Sequence, residues 1–190
     1  MHLEPRHGNT YKDIEQDGFL IDKKIKMSLS DTPLSISSAM GKAQVGFSEA
    51  LHDLSPDLLI ILGDRFEVLP AGISAAMLGI PIVHIHGGES TEGCADEFIR
   101  HSLTKMSTCH FTSTETYRQR VIQLGEHPNT VFNVGALGVS NIKQMSLLSR
   151  QELEASLALK LGAKNMLITL HPETLGSTTS EQLCHAMLDA

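Results

Sequence analysis

The chain has 190 residues, with 15 Lys and Arg against 22 Asp and Glu and a formal charge of −7. That balance excludes the broad basic face needed to displace counterions from a nucleic-acid backbone. With 41% hydrophobic residues and a mean hydropathy of −0.03, the chain can bury a core, and its length suits one domain or slightly more. The longest aliphatic run, Leu58-Leu59-Ile60-Ile61-Leu62, falls far short of the ~20 apolar residues of a membrane helix, and residues 1–7 carry no apolar signal core. The expectation is a cytoplasmic protein with no membrane or nucleic-acid partner. Cys94, Cys109 and Cys184 are widely spaced, which suggests neither a disulfide framework nor a thiolate metal site.

In chain order, the pattern predicts a helix over 11–16, stopped by Asp17-Gly18, and then a strand over 19–27. A helix over 37–51 follows, with Met40, Ala43, Phe47 and Ala50 at spacings of three and four; its Gly41 and Gly46 either weaken it or permit close packing. From there strands and helices alternate: strand 58–62, helix 68–78, strand 80–85, helix 96–106, strand 109–112, helix 115–124, strand 130–134. Helices over 139–147 and 151–161, a strand over 165–170 and a last helix opening at 180 complete the chain. Such alternation with short connections marks βαβ units, hence an α/β fold with a Rossmann-like parallel sheet and helices on both faces.

Two glycines in Gly135-Ala136-Leu137-Gly138 place the expected boundary between a first domain, 1–138, and the start of a second, 139–190. Both ends read as cut. No GxGxxG is present, a doubly wound sheet ordinarily opens with a strand and a glycine-rich turn, and the last helix has no following strand on which to pack.

Ligands of open parallel sheets bind beyond the carboxyl ends of the strands, and those positions are polar here. They read Gly63-Asp64-Arg65, His86-Gly87-Gly88-Glu89, Ser113-Thr114-Glu115 and His171-Pro172-Glu173. Asp64 is either a helix N-cap or an acid, base or sugar-hydroxyl ligand in the cleft, with Arg65 gripping a phosphate. His84 and His86 share one strand face, ahead of a Gly pair that lets backbone approach a ligand. No third ligand at a recognisable spacing follows, so no metal site is assigned; His84 reads as structural, and His86 or Glu89 as a substrate contact. Asp96 either forms a surface pair with Arg100, four residues on, or reaches the cleft, where crowded carboxylates would push one pKa upward. His171 is either structural or a contact from the second domain.

The motifs Gly63-Asp64-Arg65-Phe66-Glu67, His84-Ile85-His86-Gly87-Gly88-Glu89 and Asp96-Glu97-Phe98-Ile99-Arg100-His101, with Gly8-Asn9-Thr10-Tyr11 before them, resemble the UDP-N-acetylglucosamine 2-epimerases. The likeness is to the hydrolysing branch, which makes N-acetylmannosamine for sialic and related nonulosonic acids. The resemblance implies a glycosyltransferase-B-type fold of two Rossmann-like domains with UDP-N-acetylglucosamine between them, homo-oligomers, and no metal or nicotinamide cofactor. It also implies C2 deprotonation, anti elimination of UDP to a 2-acetamidoglucal, and hydration to N-acetylmannosamine. By motif, Asp64 and Asp96 match acidic active-site residues, His171 a histidine near the diphosphate, and Arg65 a residue implicated in UDP binding. His2 and Glu89 fall in motifs lining the sugar pocket.

His86 departs from the nonhydrolysing epimerases, which have a glutamate there, so the resemblance leaves His86 or Glu89 to take over the proton work. The family's opening Gly-Thr-Arg turn and most of its second domain are missing from the sequence, and the expectation is little turnover by this chain alone. A nonhydrolysing epimerase and a noncatalytic remnant that binds sugar nucleotide weakly are the alternatives.

Overall fold

The structure is a computed structural model that describes residues 2–27, 32–171 and 178–189; Pro172 and Glu173 lie outside them. The chain divides into two compact units, Met1–Thr91 with Ala95–Val134, and Glu92–Cys94 with Gly135–Ala190.

In the first unit, four short runs form the strands β1 (Leu59–Leu62), β2 (Ile82–Ile85), β3 (Cys109–Thr112) and β4 (Val131–Asn133). All neighbours pair in parallel, in the order β1-β2-β3-β4. The crossovers are the helices α3 (Leu69–Met77), α4 (Asp96–Met106) and α5 (Glu115–Gln123). Because spatial order follows chain order, crossovers of the usual right hand put all three helices on one face. The matched row Ile61, His84, His110 and Val131 is buried on that face. Ile60, Leu62 and Phe132, on the other, are exposed. The alternation predicts helices on both faces; the three crossovers between these strands share one, because the strand order never reverses.

The core gathers Ile61, Ile82, Ala75, Ile99 and Leu103, with Leu51 from α2 (Pro33–Leu54). Helix α2 packs along α3 and begins four residues before the predicted start. Thr32 caps it, accepting a hydrogen bond from the Ser35 amide at 3.2 Å, and Pro33 opens its first turn.

The predicted strand over 19–27 does not form: after α1 (Tyr11–Gln16) the chain runs on without ladder pairing. Side chains fix it instead. Lys23 Nζ lies 2.8 Å from Asp53, and Lys24 Nζ lies 2.7 Å from Glu15 and 4.0 Å from the centre of the Tyr11 ring. Ile25 sits against Gly46 of α2, where an added Cβ would come within 2.8 Å of Ile25 Cγ2. Of the two readings of Gly46, close packing is the one the structure takes.

The second unit holds α6 (Leu137–Gln144), α7 (Arg150–Leu157) and α8 (Ser180–Asp189). A capping box opens α7: the Ser149 side chain accepts from the Glu152 amide, and the Glu152 carboxylate accepts from the Ser149 amide at 2.8 Å. The predicted strand over 165–170 is not formed. Met166 and Leu167 are exposed, and among the described residues this unit has no strand to share a ladder with it.

Candidate functional site

The site grows from the carboxyl ends of β1 and β2 and the first turns of α4. Asp64 follows β1, but it is not the N-cap of α3, which begins only at Leu69 with Val68 before it. Its carboxylate turns to Arg100, whose Nε donates to Asp64 Oδ2 at 2.6 Å and whose Nη2 lies 2.5 Å from the same oxygen. The Arg100 side chain is 2% exposed, which overturns the surface pair with Asp96. Its remaining donors reach Glu97 Oε2 and the Glu89 carbonyl from Nη1, at 2.8 and 2.9 Å, and Thr91 Oγ1 from Nη2, at 2.8 Å. A buried guanidinium is tolerable only with charge and hydrogen bonds answered together, and here two carboxylates, a carbonyl and a hydroxyl do so.

Glu97, which sequence reasoning passed over, has both oxygens engaged. Oε2 also accepts from the Thr91 amide at 2.6 Å, and Oε1 lies 3.1 Å from His101 Nε2. Burial pushes its carboxyl upward, but the Thr91 amide, His101 and Arg100 outweigh that and hold it below its ordinary pKa. Asp96, one residue earlier, behaves oppositely. Burial and then the Asp64 carboxylate raise its pKa, against the opposing pull of Arg65 and Arg100. Burial and the neighbouring carboxylate thus both act toward protonation of Asp96.

His84 is fully buried. Its Nε2 donates to the Gly63 carbonyl at 2.9 Å, and Nδ1 is 3.2 Å from Thr104 Oγ1. Burial lowers its pKa to about 4, so it is neutral at pH 7 and fits the structural reading. Gly87 and Gly88 are buried too. A Cβ on Gly88, at φ +81°, would lie 2.4 Å from the Tyr117 carbonyl oxygen of α5. Gly88 therefore lets this loop seat against α5, and Gly87 lets it pass close to His84 and Thr104, where the sequence pointed to close approach of a ligand. His86, at φ 69°, donates from its backbone amide to the Phe111 carbonyl at 2.8 Å and from Nδ1 to Glu89 Oε1 at 2.8 Å. Ser113 Oγ donates to the same oxygen at 2.9 Å.

His2 and Arg65 meet elsewhere in this unit, in a pocket of about 680 Å³ that Leu62, Glu67, Tyr11 and Phe47 help to line. His2 Nδ1 is 2.7 Å from Thr10 Oγ1, and Arg65 Nε is 3.2 Å from Glu67. His171 is in the second unit and exposed. Among the described residues, no group of three or more His, Cys, Asp or Glu is placed to hold a metal ion, and no helix is long and apolar enough to cross a membrane.

Arg100 and Glu97 are the site members that the sequence reading did not assign to the cleft; Ser113 was placed at a strand end there but given no role. A pairing of Glu97 with Arg100, three apart on a helix, was available as a signal; nothing in the sequence ties Ser113 to Glu89.

The family model described as UDP-N-acetylglucosamine 2-epimerase matches residues 1–190. A hydrolysing GDP/UDP-N,N'-diacetylbacillosamine 2-epimerase of Campylobacter jejuni is 44% identical over 98% of this chain and 49% of its own length. Polysialic acid biosynthesis protein P7 of Escherichia coli is 42% identical over 100% of this chain and 49% of its own length. The chain thus spans about half the length of the curated relatives it matches. Among solved structures, UDP-GlcNAc 2-epimerase from Neisseria meningitidis bound to UDP-GlcNAc superposes with a TM-score of 0.65. Its identity is 16%, over 80% of this chain and 43% of that one, and the likeness speaks for the fold.

Proposed function

The chain belongs to the UDP-N-acetylglucosamine 2-epimerase family, and from that premise we propose that it carries acid–base machinery of a hydrolysing 2-epimerase, which turns UDP-N-acetylglucosamine and water into N-acetylmannosamine and UDP. The single observation that carries the reading is the Arg100 node, which gathers Asp64, Glu97 and the Glu89 main chain, while the Glu89 side chain holds His86.

In this scheme His86 Nε2 takes the C2 proton, since Nδ1 is committed to Glu89. The electrons of the C2–H bond form the C1=C2 double bond, and the C1–O bond breaks with its pair leaving on UDP. Asp96, whose raised pKa favours the protonated form, then delivers a proton to C2 from the opposite face. Water bonds to C1 and gives its proton to Asp64. Resetting the three groups returns one proton to Asp96 and releases one to solvent with the UDP. Arg65 and His2 would hold substrate at their shared pocket, and His171, from a second domain starting near residue 139, would meet the diphosphate. The same reading makes the protein cytoplasmic, homo-oligomeric and part of sialic or related acid synthesis.

A coupled assay for UDP, with analysis of the sugar product, tests this in an enzyme carrying the chain. Free UDP with N-acetylmannosamine is the expected result, abolished by Asp64→Asn; UDP-N-acetylmannosamine with the nucleotide retained would instead establish the nonhydrolysing reaction. The 44% identity to a diacetylbacillosamine epimerase favours a second reading in substrate alone, UDP-N,N'-diacetylbacillosamine, which competition between the two sugar nucleotides decides. A melting temperature that responds to UDP without any turnover would favour the noncatalytic reading.

A further inference from the structure

We propose that Ser113 is a positioning residue for His86, acting through Glu89, a role that rests on His86 and Glu89 forming the acid–base pair described above. The backbone prepares the contact. β2 and β3 run in parallel with Ile85 opposite Phe111, and the His86 amide adds one more bond to the Phe111 carbonyl at 2.8 Å. His86 and Ser113 therefore emerge from neighbouring strand ends. Glu89 folds back between them, and a single oxygen, Oε1, receives both Nδ1–H of His86 at 2.8 Å and the hydroxyl of Ser113 at 2.9 Å. The main chain of Glu89 is tied separately, to Arg100 at 2.9 Å.

A glutamate side chain has three rotatable bonds, and one contact to an imidazole that is itself partly exposed leaves it free to swing away. The serine supplies a second point of attachment from a different strand. With Oε1 fixed between two donors, of the two neutral tautomers only the one with its proton on Nδ1 satisfies the geometry, and its lone pair is on Nε2. Ser113 thus selects the tautomer that can accept a proton from substrate, without touching substrate itself.

Nitrogen-15 spectroscopy of the histidine rings of the 190-residue chain reads this directly, with no requirement for turnover. Spectra are taken near pH 8.5, about two units above the ordinary imidazole pKa, and the His86 signals are assigned by their loss in His86→Gln. The expected result is a predominant Nδ1–H form for His86, shifting toward the Nε2–H form that free histidine prefers in Ser113→Ala and returning in Ser113→Thr, which keeps the hydroxyl. Glu89→Met, which removes the acceptor, separates the two levels of the proposal. If Glu89→Met changes the tautomer and Ser113→Ala does not, the role of Ser113 is overturned and the pair stands. If Glu89→Met leaves the tautomer unchanged, the His86–Glu89 pair fails, and the role of Ser113 fails with it.

Discussion

Arg100 and Asp64, 36 positions apart in the chain, are joined by the Arg100 Nε bond to Asp64 Oδ2 at 2.6 Å. That bond ties α4 to the end of β1, and the same guanidinium reaches the Gly-Gly-Glu loop after β2 through the Glu89 carbonyl. Removing the cation would leave Asp64 and Glu97 facing each other with no charge between them. Arg100→Met is therefore expected to cost about 3–5 kcal/mol, the range for breaking one side of a buried ion pair. A urea titration checks this, and Arg100→Lys, with three donors in place of five, should fall between that variant and the native chain.

Asp96 should separate activity from stability. Its carboxyl is pressed upward by burial and by Asp64, so the folded chain binds its proton more readily than the unfolded chain does. The charged form consequently weakens the fold as pH rises through the ordinary carboxylate range and beyond it to the raised pKa. Asp96→Asn removes that penalty. At pH 7 it is expected to melt no lower than the native chain, while an enzyme carrying it loses a factor of about 10²–10⁴ in kcat, the usual share of a general acid.

His84 sets an acid limit. Its pKa in the fold is about 4 against 6.5 for the free group, so unfolding takes up a proton between those values. The stability linked to the neutral ring is complete above about pH 6.5 and is progressively lost down to about pH 4, a loss on the order of 3 kcal/mol at 1.36 kcal/mol per pKa unit. His110, its partner in the strand register, is likewise lowered by burial, with Glu126 opposing, and should add to the slope. Urea midpoints measured across this range are expected to fall toward acid, with a shallower fall in His84→Gln.

Gly88→Ala should be far more damaging than Gly79→Ala. Both glycines have positive φ, 81° and 72°, where an L side chain costs about 1–2 kcal/mol. Only at Gly88 does the new Cβ meet backbone, 2.4 Å from the Tyr117 carbonyl oxygen; at Gly79 nothing lies within 4 Å. Chemical denaturation of the two variants, compared with the native chain, gives the difference as the cost of pushing the loop off α5.

The four strands were legible because each is a short, largely β-branched, aliphatic or aromatic run between helical patterns, with Gly or polar residues after it. Residues 19–27 misled because alternating Phe19, Ile21, Ile25 and Met27 report a half-buried extended chain without saying whether another strand lies beside it; here the neighbour is α2, at Gly46. Residues 165–170 misled differently: the apolar run Met166-Leu167-Ile168 reads as a buried strand, yet all three residues are exposed. Asp64, His86 and Glu89 could be read from their places after strands, but the roles of Glu97 and Arg100 could not. Helical spacing put Arg100 near Asp96, whereas its partner Asp64 comes from another element, and burial next to Ile99 depends on how α4 is rotated against the sheet.

The torsion of His86 sets a price on its side chain. A histidine held at φ 69° sits in a conformation that glycine adopts freely, and its tightly bonded neighbours keep it there. His86→Gly should accordingly relax the main chain at that point even as it removes the imidazole. The imidazole thus reaches Glu89 from a main-chain position that only glycine occupies at ease, and a chain with glycine there would gain backbone freedom while losing that contact.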